Sequence, residues 1–292
     1  MHARTDGAEV RPGLAEGTAR VVYPIPTPAP KVTAIIPTRD AVEVLRTCVE
    51  SVRAKTRYPN LELLIVDNQS RDREALAYLA DLERTGAARV IRHDAPFNYS
   101  AINNRAVRES SGELLAFLNN DIEVLHEDWL EEMVGHALRP EVGAVGAKLL
   151  YPDGFVQHAG VIIDGHGNAD HIYRLFPCAH PGEAGRALVT QQYVAVTAAC
   201  LVMRRETFCA VGGYDEINLP VAFNDVDLCL KVRERGLCVM WTPHACLVHH
   251  ESYSRGDDND SHATRKRAAF EQSRFRSRWS CATGAHDWSR AT

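Results

Sequence analysis

The sequence predicts an α/β fold: a doubly wound, mostly parallel sheet flanked by helices, followed by a half made of mixed or antiparallel strands. Between residues 31 and 92, β-branched apolar runs alternate with helical patterns, as they do in a doubly wound parallel sheet. A further apolar run at 114–118 has the length of a strand that is buried on both faces. Past residue 140, short strand-like runs alternate with loops rich in Gly, Pro and His, which indicates a different kind of layer.

Size and composition narrow the class of protein. A chain of 292 residues with 45% hydrophobic and 24% charged residues is an ordinary globular protein of one large or two small domains. Its net charge of −5 gives no reason to expect a nucleic-acid partner. The eight cysteines show neither a CxxC pair nor zinc-like spacing, so we expect buried free thiols in a reducing compartment.

Targeting signals are not evident. The first residues are polar and charged, unlike a secretory signal, and the longest apolar run, about 193–203, is shorter than the roughly 17–25 residues of a membrane helix. We therefore expect a cytoplasmic protein, with contact at the inner face of the cell membrane left open.

The first half of the chain provides the predicted nucleotide-binding sheet. Residues 1–30 form a lead-in that is stiffened by alternating prolines from Pro24 to Pro30. Ser100 is the expected N-cap of a helix that ends near residue 111. The other elements are strands at 31–37, 61–66, 89–92 and 114–118 and helices at 41–56, 71–84 and 128–138.

The second half is expected to hold shorter elements and a basic tail at 257–292. Strands are predicted at about 143–150, 155–163, 193–204, 237–242 and 245–249, and a helix begins near Asn224. Within the tail, 262–280 is a basic helix candidate that carries Phe270, Phe275 and Trp279. These aromatic side chains could either lie on anionic lipid or dock on the domain.

Two predicted strands end in carboxylates. Asp67 follows the strand at 61–66, and Asp121 follows the strand at 114–118 together with two asparagines. Ligands of open α/β sheets bind beyond the carboxyl ends of strands, and a carboxylate there suits a hard divalent cation, although Asn-Asn-Asp could also be a simple turn. Neither GxGxxG nor GxxxxGK[ST] follows the first strand. A bound diphosphate would therefore need a metal at Asp121, which favours a sugar nucleotide over NAD or ATP.

Seven segments occur in the order seen in glycosyltransferase family 2, and the chain resembles that family over residues 31–256. The segments are IIPTRD (35–40), LLIVDNQS (63–70), FNYSAINN (97–104), LNNDIEV (118–124), GGYDE (212–216), NDVDLCLKVRERG (224–236) and HHESYSRG (249–256). The likeness is greatest to bacterial enzymes that build O-antigen, rhamnan or capsule chains. It implies a GT-A fold with a Rossmann-like sheet, a nucleotide-sugar half at 31–125 and an acceptor or catalytic half at 140–256.

The resemblance also implies roles for residues that bind the donor. Asp67 would contact the uracil or ribose, and Asn104 would contact the base or diphosphate. Asp121 would hold Mn²⁺ or Mg²⁺ and His249, or alternatively His250, would complete the metal site, with imidazole favouring Mn²⁺. The remaining residues assigned to the nucleotide sugar are Pro37, Thr38, Arg39, Asn120 and Arg255.

On the acceptor side, the resemblance makes Asp225 the general base of an inverting transfer. Inversion requires the acceptor hydroxyl to lose its proton while it attacks the anomeric carbon, and a positioned carboxylate can accept that proton. Asn224 stands where the family usually has Glu, and it and Asp227 are placed beside the acceptor. All three residues could instead be caps or dipole-stabilising side chains at a helix N-terminus.

We therefore expect an inverting, metal-dependent glycosyltransferase that moves a sugar from a UDP- or dTDP-sugar to a saccharide or lipid-linked glycan, in the synthesis of surface polysaccharide. One alternative is a non-catalytic module that binds nucleotide sugar or glycan, because three asparagines stand in acidic motifs. Another is a sugar-phosphate nucleotidyltransferase. That class should show a Gly-rich basic loop after the first strand, where this chain has PTRDAVEV.

Overall fold

A ten-stranded mixed sheet with helices on both faces forms the centre of the protein. This computed structural model describes residues 7–164, 166–250 and 261–285, without the side chains of 280–285. The strands are β1 (Glu9–Pro12), β2 (Ala19–Val22), β3 (Val32–Thr38), β4 (Leu61–Asp67), β5 (Arg89–Arg92), β6 (Leu114–Leu118), β7 (Ile122–Val124), β8 (Val142–Leu150), β9 (Val156–His158), β10 (Val161–Ile163), β11 (Ala169–His171), β12 (Gln191–Gln192), β13 (Cys200–Arg204) and β14 (Cys238–His249). The helices are α1 (Val42–Ala54), α2 (Arg73–Arg84), α3 (Tyr99–Glu109), α4 (Trp129–Ala137), α5 (Arg205–Ala210), α6 (Asn224–Glu234) and α7 (His262–Ala285).

The first half is the predicted parallel sheet. β3 pairs in parallel with β4 on one side and with β6 on the other, and β5 extends the sheet beyond β4. Every residue of β6 is buried, as expected for a strand covered on both faces. Because these strands are parallel, the polar residues that follow β3, β4 and β6 meet at one edge of the sheet.

The second half is mixed, as predicted. β13 pairs antiparallel with both β6 and β8, whereas β14 pairs in parallel with β8. The two strands expected at 237–242 and 245–249 are one strand, because a register shift between Thr242 and Cys246 bends β14 without ending its pairing with β8. The strand expected at 193–204 is shorter and begins only at Cys200.

Two apolar cores lie on opposite faces of the sheet. One contains Leu45 of α1, Leu79 of α2 and Met133 of α4. The other contains Ile102 of α3 and Leu228 of α6, together with residues of α5 and α7. The sheet is therefore the middle of three layers, and its strand ends are left open to form a site.

The N-terminal residues form a hairpin that the sequence did not predict. β1 and β2 pair antiparallel, and Arg20 donates to the carboxylates of Asp128 (2.9 Å) and Glu132 (2.8 Å) at the start of α4. The Arg139 guanidinium lies over the Tyr23 ring at 4.6 Å. The expected lead-in therefore packs against α4 on the outside of one core.

Helix α7 packs on the domain through part of its aromatic set. Phe275 and Trp279 are buried in the second core, whereas Phe270 is 45% exposed. Of the two interpretations offered for this helix, docking on the domain accounts for two of its three aromatic residues. No helix in the described residues combines the length and apolarity needed to cross a bilayer.

Candidate active site

Strand pairing brings Asp121 and His249 together at the carboxyl edge of the sheet. β7 pairs antiparallel with the end of β14, which puts Ile122 opposite His249, and the His250 N–H donates to the Asp121 carbonyl at 2.9 Å. The His249 Nε2 lies 3.0 Å from the Asp121 Oδ1. The ring of His250 instead lies 3.1 Å from the Glu123 carboxylate. Of the two histidines proposed as ligands, the structure places His249 beside Asp121.

The neighbours of His249 assign its tautomer. Its Nδ1 lies 2.6 Å from the Gln157 Oε1, which can only accept, so Nδ1 carries the proton. Its Nε2 lies 3.2 Å from the Asn119 Nδ2, which can only donate, so Nε2 carries a lone pair. That lone pair faces the Asp121 carboxylate, whose Oδ1 is buried and accepts no hydrogen bond from the described residues. Two buried acceptors therefore face each other.

A divalent cation would resolve this contact between two acceptors. A separation of 3.0 Å matches that of neighbouring ligands on an octahedral ion with bonds of about 2.1 Å. The Gln157 amide oxygen accepts from the ring nitrogen on the far side of His249, and a contact of this kind orients a metal-binding imidazole. Within the described residues, no group of three or more His, Cys, Asp or Glu side chains could hold a metal. Asp121 and His249 thus fit a cation whose other ligands would come from a bound molecule or water.

The loops after β3, β4 and β6 form the neighbouring wall. The Asn120 Nδ2 donates to the Thr38 hydroxyl at 3.1 Å, which ties two of these loops together. The Asn68 amide donates to the carbonyls of His93 and Ala95 at 3.0 and 2.8 Å. Arg39, whose side chain is half exposed, stands at the rim. This wall is polar, and the Arg39 guanidinium at its rim, which lies 4.0 Å from the Asp40 carboxylate, suits an anionic ligand.

Two residues assigned to the donor are engaged elsewhere. The Asp67 carboxylate accepts from Arg92 at 2.6 Å and from the Ser70 N–H at 2.9 Å. Asn104 donates to the Tyr214 carbonyl at 2.9 Å and accepts from the Tyr214 N–H at 2.9 Å. The described residues that line the cleft include neither of them. In this structure both side chains hold loops in place, and the ligand contacts expected from the sequence stay predictions.

The opposite wall carries Asp225 at the start of α6. Its Oδ2 accepts from the Ala198 N–H at 3.2 Å, and its Oδ1 accepts from the Val226 N–H at 2.8 Å. The same segment contacts the strand end that carries Asp121, because the Ala199 carbonyl accepts from the Asn119 N–H at 3.0 Å. Residues 197–199 therefore connect the two walls across the floor of the cleft.

The side chains next to Asp225 are structural in this geometry. Asn224 lines the cleft, but its amide donates to the Val221 carbonyl at 2.9 Å. Asp227 is completely buried and accepts from the Trp279 indole at 3.0 Å, with Lys231 at 3.0 Å. Asp227 does not line the cleft, because its carboxylate is enclosed beneath α7, and its expected place beside an acceptor stays a prediction.

The prediction that Ser100 is the N-cap of α3 is wrong. Asn98 is the N-cap of α3 and accepts from the Ala101 N–H at 2.9 Å. Ser100 is buried in the first turn and donates to the Leu219 carbonyl at 2.6 Å. It thereby ties α3 to the loop that leads to α6. Arg255, assigned to the diphosphate, lies outside the described residues.

One cleft of about 450 Å³ joins the two walls, with Asp121 and His249 on one side and Asp225 on the other. Sequence analysis missed several side chains that line it. Gln157 lies on a short strand without a recognisable motif, whereas Phe97 and Tyr99 lie in the quoted FNYSAINN segment, where they could have been found. The lining residues are Pro37, Thr38, Arg39, Asn68, Phe97, Tyr99, Ile102, Asn119, Asn120, Asp121, Gln157, His171, Thr197, Ala198, Ala199, Val221, Asn224, Asp225 and His249.

Comparison with known proteins identifies relatives. A protein of Sinorhizobium fredii, y4gI, is 49% identical over 280 residues, which are 95% of this chain and 31% of that protein. The O-antigen biosynthesis protein RfbC of Myxococcus xanthus is 46% identical over 242 residues, which are 82% of this chain and 19% of that protein. The chain thus spans about a third and about a fifth of the length of these relatives.

A solved structure has a similar fold. The mannosyltransferase PcManGT of Pyrobaculum calidifontis, solved with GDP-Man and Mn²⁺, superposes with a TM-score of 0.60 at 20% identity, over 88% of this chain and 66% of that one. The likeness supports the GT-A architecture expected from the sequence. The sequence model described as glycosyl transferase family 2 matches residues 33–208. With this match over more than half of its length, the chain belongs to glycosyltransferase family 2.

Proposed function

We propose that this chain transfers a sugar, with inversion, from a nucleoside-diphosphate sugar to a saccharide or lipid-linked acceptor in a metal-dependent reaction. One observation carries the proposal: the facing acceptors of Asp121 and His249 and the carboxylate of Asp225 open onto one cleft. Asp121 and His249 suit a cation beside a diphosphate. The Asp225 carboxylate is suited to accept a proton on the other side of the sugar.

On the donor side, Asp121 and His249 would hold Mn²⁺ or Mg²⁺, and the imidazole favours Mn²⁺. When bound, the cation stabilises the charge that develops on the leaving diphosphate. Gln157 holds His249 in the tautomer that presents Nε2. Thr38 and Asn120 would lie along the nucleotide, and Arg39 at the rim would meet its negative charge. UDP- and dTDP-sugars remain the donors that we propose.

On the acceptor side, Asp225 would accept the proton of the attacking hydroxyl. The amides of Ala198 and Val226 fix the carboxylate, so its position relative to the anomeric carbon is set by backbone contacts. A positioned general base contributes about 10²–10⁴-fold to the rate. This arrangement uses an in-line attack from the face opposite the diphosphate, which gives an inverted product.

The acceptor and the pathway rest on the relatives. RfbC of Myxococcus xanthus is an O-antigen biosynthesis protein, which supports a role of this chain in surface polysaccharide synthesis. The exposed Phe270 and the basic residues of α7 would allow contact with a membrane that carries a lipid-linked acceptor.

The test is a panel of UDP-, dTDP- and GDP-sugars with Mn²⁺, in which the released nucleoside diphosphate and the anomeric configuration of the product are measured. The GDP-sugars are included because PcManGT was solved with GDP-Man. Asp225→Asn should lower kcat by roughly 10³-fold while donor affinity changes less than twofold. Asp81→Asn, on the exposed face of α2, is the matched control. Transfer that survives Asp225→Asn would reject Asp225 as the base, and binding without turnover in the parent chain would favour a non-catalytic module.

A further inference from the structure

Helix α7 crosses the loop that carries the proposed base. We call residues 221–225 the base loop. Glu271 of α7 is completely buried, and its Oε2 accepts from the backbone N–H groups of Val221 (3.3 Å) and Ala222. A carboxylate that accepts from consecutive amides is a strong, charge-assisted contact. The first half of the base loop is thus held by a side chain that is about fifty residues further along the chain.

The next turn of α7 holds the second half of the base loop. Phe275 is completely buried and stacks on Phe223, with ring centroids 5.2 Å apart and an angle of 21° between the rings. Phe223 has φ +60°, in the left-handed region that costs a residue other than glycine roughly 1–2 kcal/mol. Such a conformation persists only where the surrounding structure imposes it. The stacked ring of Phe275 provides that packing immediately before α6.

One turn further, α7 holds the first turn of α6. The Trp279 indole N–H donates to the buried Asp227 carboxylate at 3.0 Å. Glu271, Phe275 and Trp279 are spaced four residues apart, so they form one stripe on a single face of the helix. This stripe contacts the chain on both sides of Asp225.

We propose that α7 positions Asp225, with Glu271 and Phe275 as positioning residues that act through the base loop. This inference rests on the proposed role of Asp225 as the base. The reason is geometric, because a displacement of about 1 Å in a reacting group can cost roughly 10²-fold in rate. Glu271 and Phe275 lie outside the cleft lining of the described residues, so they affect transfer through the position of Asp225.

The first measurement does not depend on activity. Hydrogen–deuterium exchange of the whole chain should show at least tenfold faster exchange of the amides in residues 221–226 for Glu271→Ala, with no change in residues 114–124. Glu271→Gln, which keeps an acceptor oxygen, should remain within threefold of the parent. Ser273→Ala, on the exposed face of α7, is the matched control. Unchanged exchange in Glu271→Ala would overturn the proposal.

The second measurement separates positioning from general stability. Glu271→Ala and Phe275→Leu should lower kcat by at least tenfold while the KM for donor changes less than twofold, and Glu271→Gln should restore most of kcat. Faster exchange with unchanged kcat, or equal losses in donor binding and kcat, would overturn the proposal. If Glu271→Ala does not fold, Phe275→Leu is judged by both measurements. A parent chain without transfer on any donor rejects the proposed function, and exchange alone then decides whether α7 holds the base loop.

Discussion

The two walls of the cleft are held in different ways. The wall with Asp121 and His249 is set by strand pairing, because β7 and β14 place these side chains next to each other in register. The wall with Asp225 is a loop and the first turn of α6, held by the Ala198 amide and by side chains of α7. A sheet edge fixes distances closely and tolerates little adjustment, whereas a loop wall can move when its supports change. We infer that the wall with Asp121 and His249 is the more rigid of the two and that the wall with Asp225 is the more adjustable.

The largest expected effect on kcat/KM comes from the wall that contains Asp121 and His249. Asp121→Asn removes the only carboxylate of the proposed cation site in the described residues, so Mn²⁺ should bind poorly even with donor present. Because a bound cation supplies several kcal/mol of charge stabilisation, we expect kcat/KM at fixed Mn²⁺ to fall by roughly 10³-fold. Mn²⁺ titration of activity and of donor binding would show it. Unlike Asp225→Asn, this variant should lose donor binding as well as turnover, and equal behaviour of the two variants would contradict the comparison.

A smaller effect is expected from the residue that orients His249. Gln157→Leu removes the acceptor of the Nδ1 proton, so the imidazole loses its fixed tautomer and orientation. Loss of such an outer contact typically costs about 10–100-fold in metal affinity or activity. We expect the apparent Mn²⁺ dissociation constant to rise by that factor. Gln157→Glu, which keeps an acceptor, is the control, and a loss of kcat without a change in Mn²⁺ dependence would contradict the assignment.

The smallest effect on transfer is expected outside the cleft. Burial alone would raise the pKa of Glu132, but the hydrogen bond and charge of His136, together with Arg20 and Thr242, outweigh it and lower the pKa to about 2. A lowered pKa stabilises the fold above the unfolded-state value of about 4.5, and this contribution is lost as the pH falls from there toward 2.

Glu132→Gln should therefore lower the free energy of unfolding at pH 7 by about 3 kcal/mol and flatten its decline between pH 4.5 and pH 2. Urea unfolding at several pH values checks this, and His126→Ala, which leaves the buried cluster intact, is the control. Transfer at 25 °C should change less than twofold. A large loss of transfer would show that the wall with Asp225 also depends on the contacts of Glu132.

The comparison also explains which parts could be predicted. The prediction of the parallel half is confirmed. Its strands and helices show in the local spacing of apolar residues, and β6 ends at the predicted place. Strand ends also indicated Asp121, and the motif order indicated His249 and Asp225, which the structure brings into one cleft. Their chemical roles remain predictions.

Contacts between distant residues could not be predicted. Arg20 contacts Glu132 on the outside of α4, and Glu271 contacts the backbone of Ala222. The partners are far apart in the sequence, so neither contact produces a local sequence pattern. The side chains of Asp67, Asn104 and Asp227 bind the protein's own scaffold, because a polar residue within a motif can serve the scaffold as readily as a ligand. The sequence gives the chemical type of such a residue, whereas packing decides the direction of its side chain.

The stretch matched to the family ends at residue 208, ahead of α6, β14 and α7. An expression fragment trimmed at that boundary would retain Asp121 and discard both Asp225 and His249. Such a fragment would leave unpaired the edge of β8 that β14 normally pairs with, so it should precipitate rather than serve as a minimal enzyme. An expression fragment of this chain should therefore include all of α7.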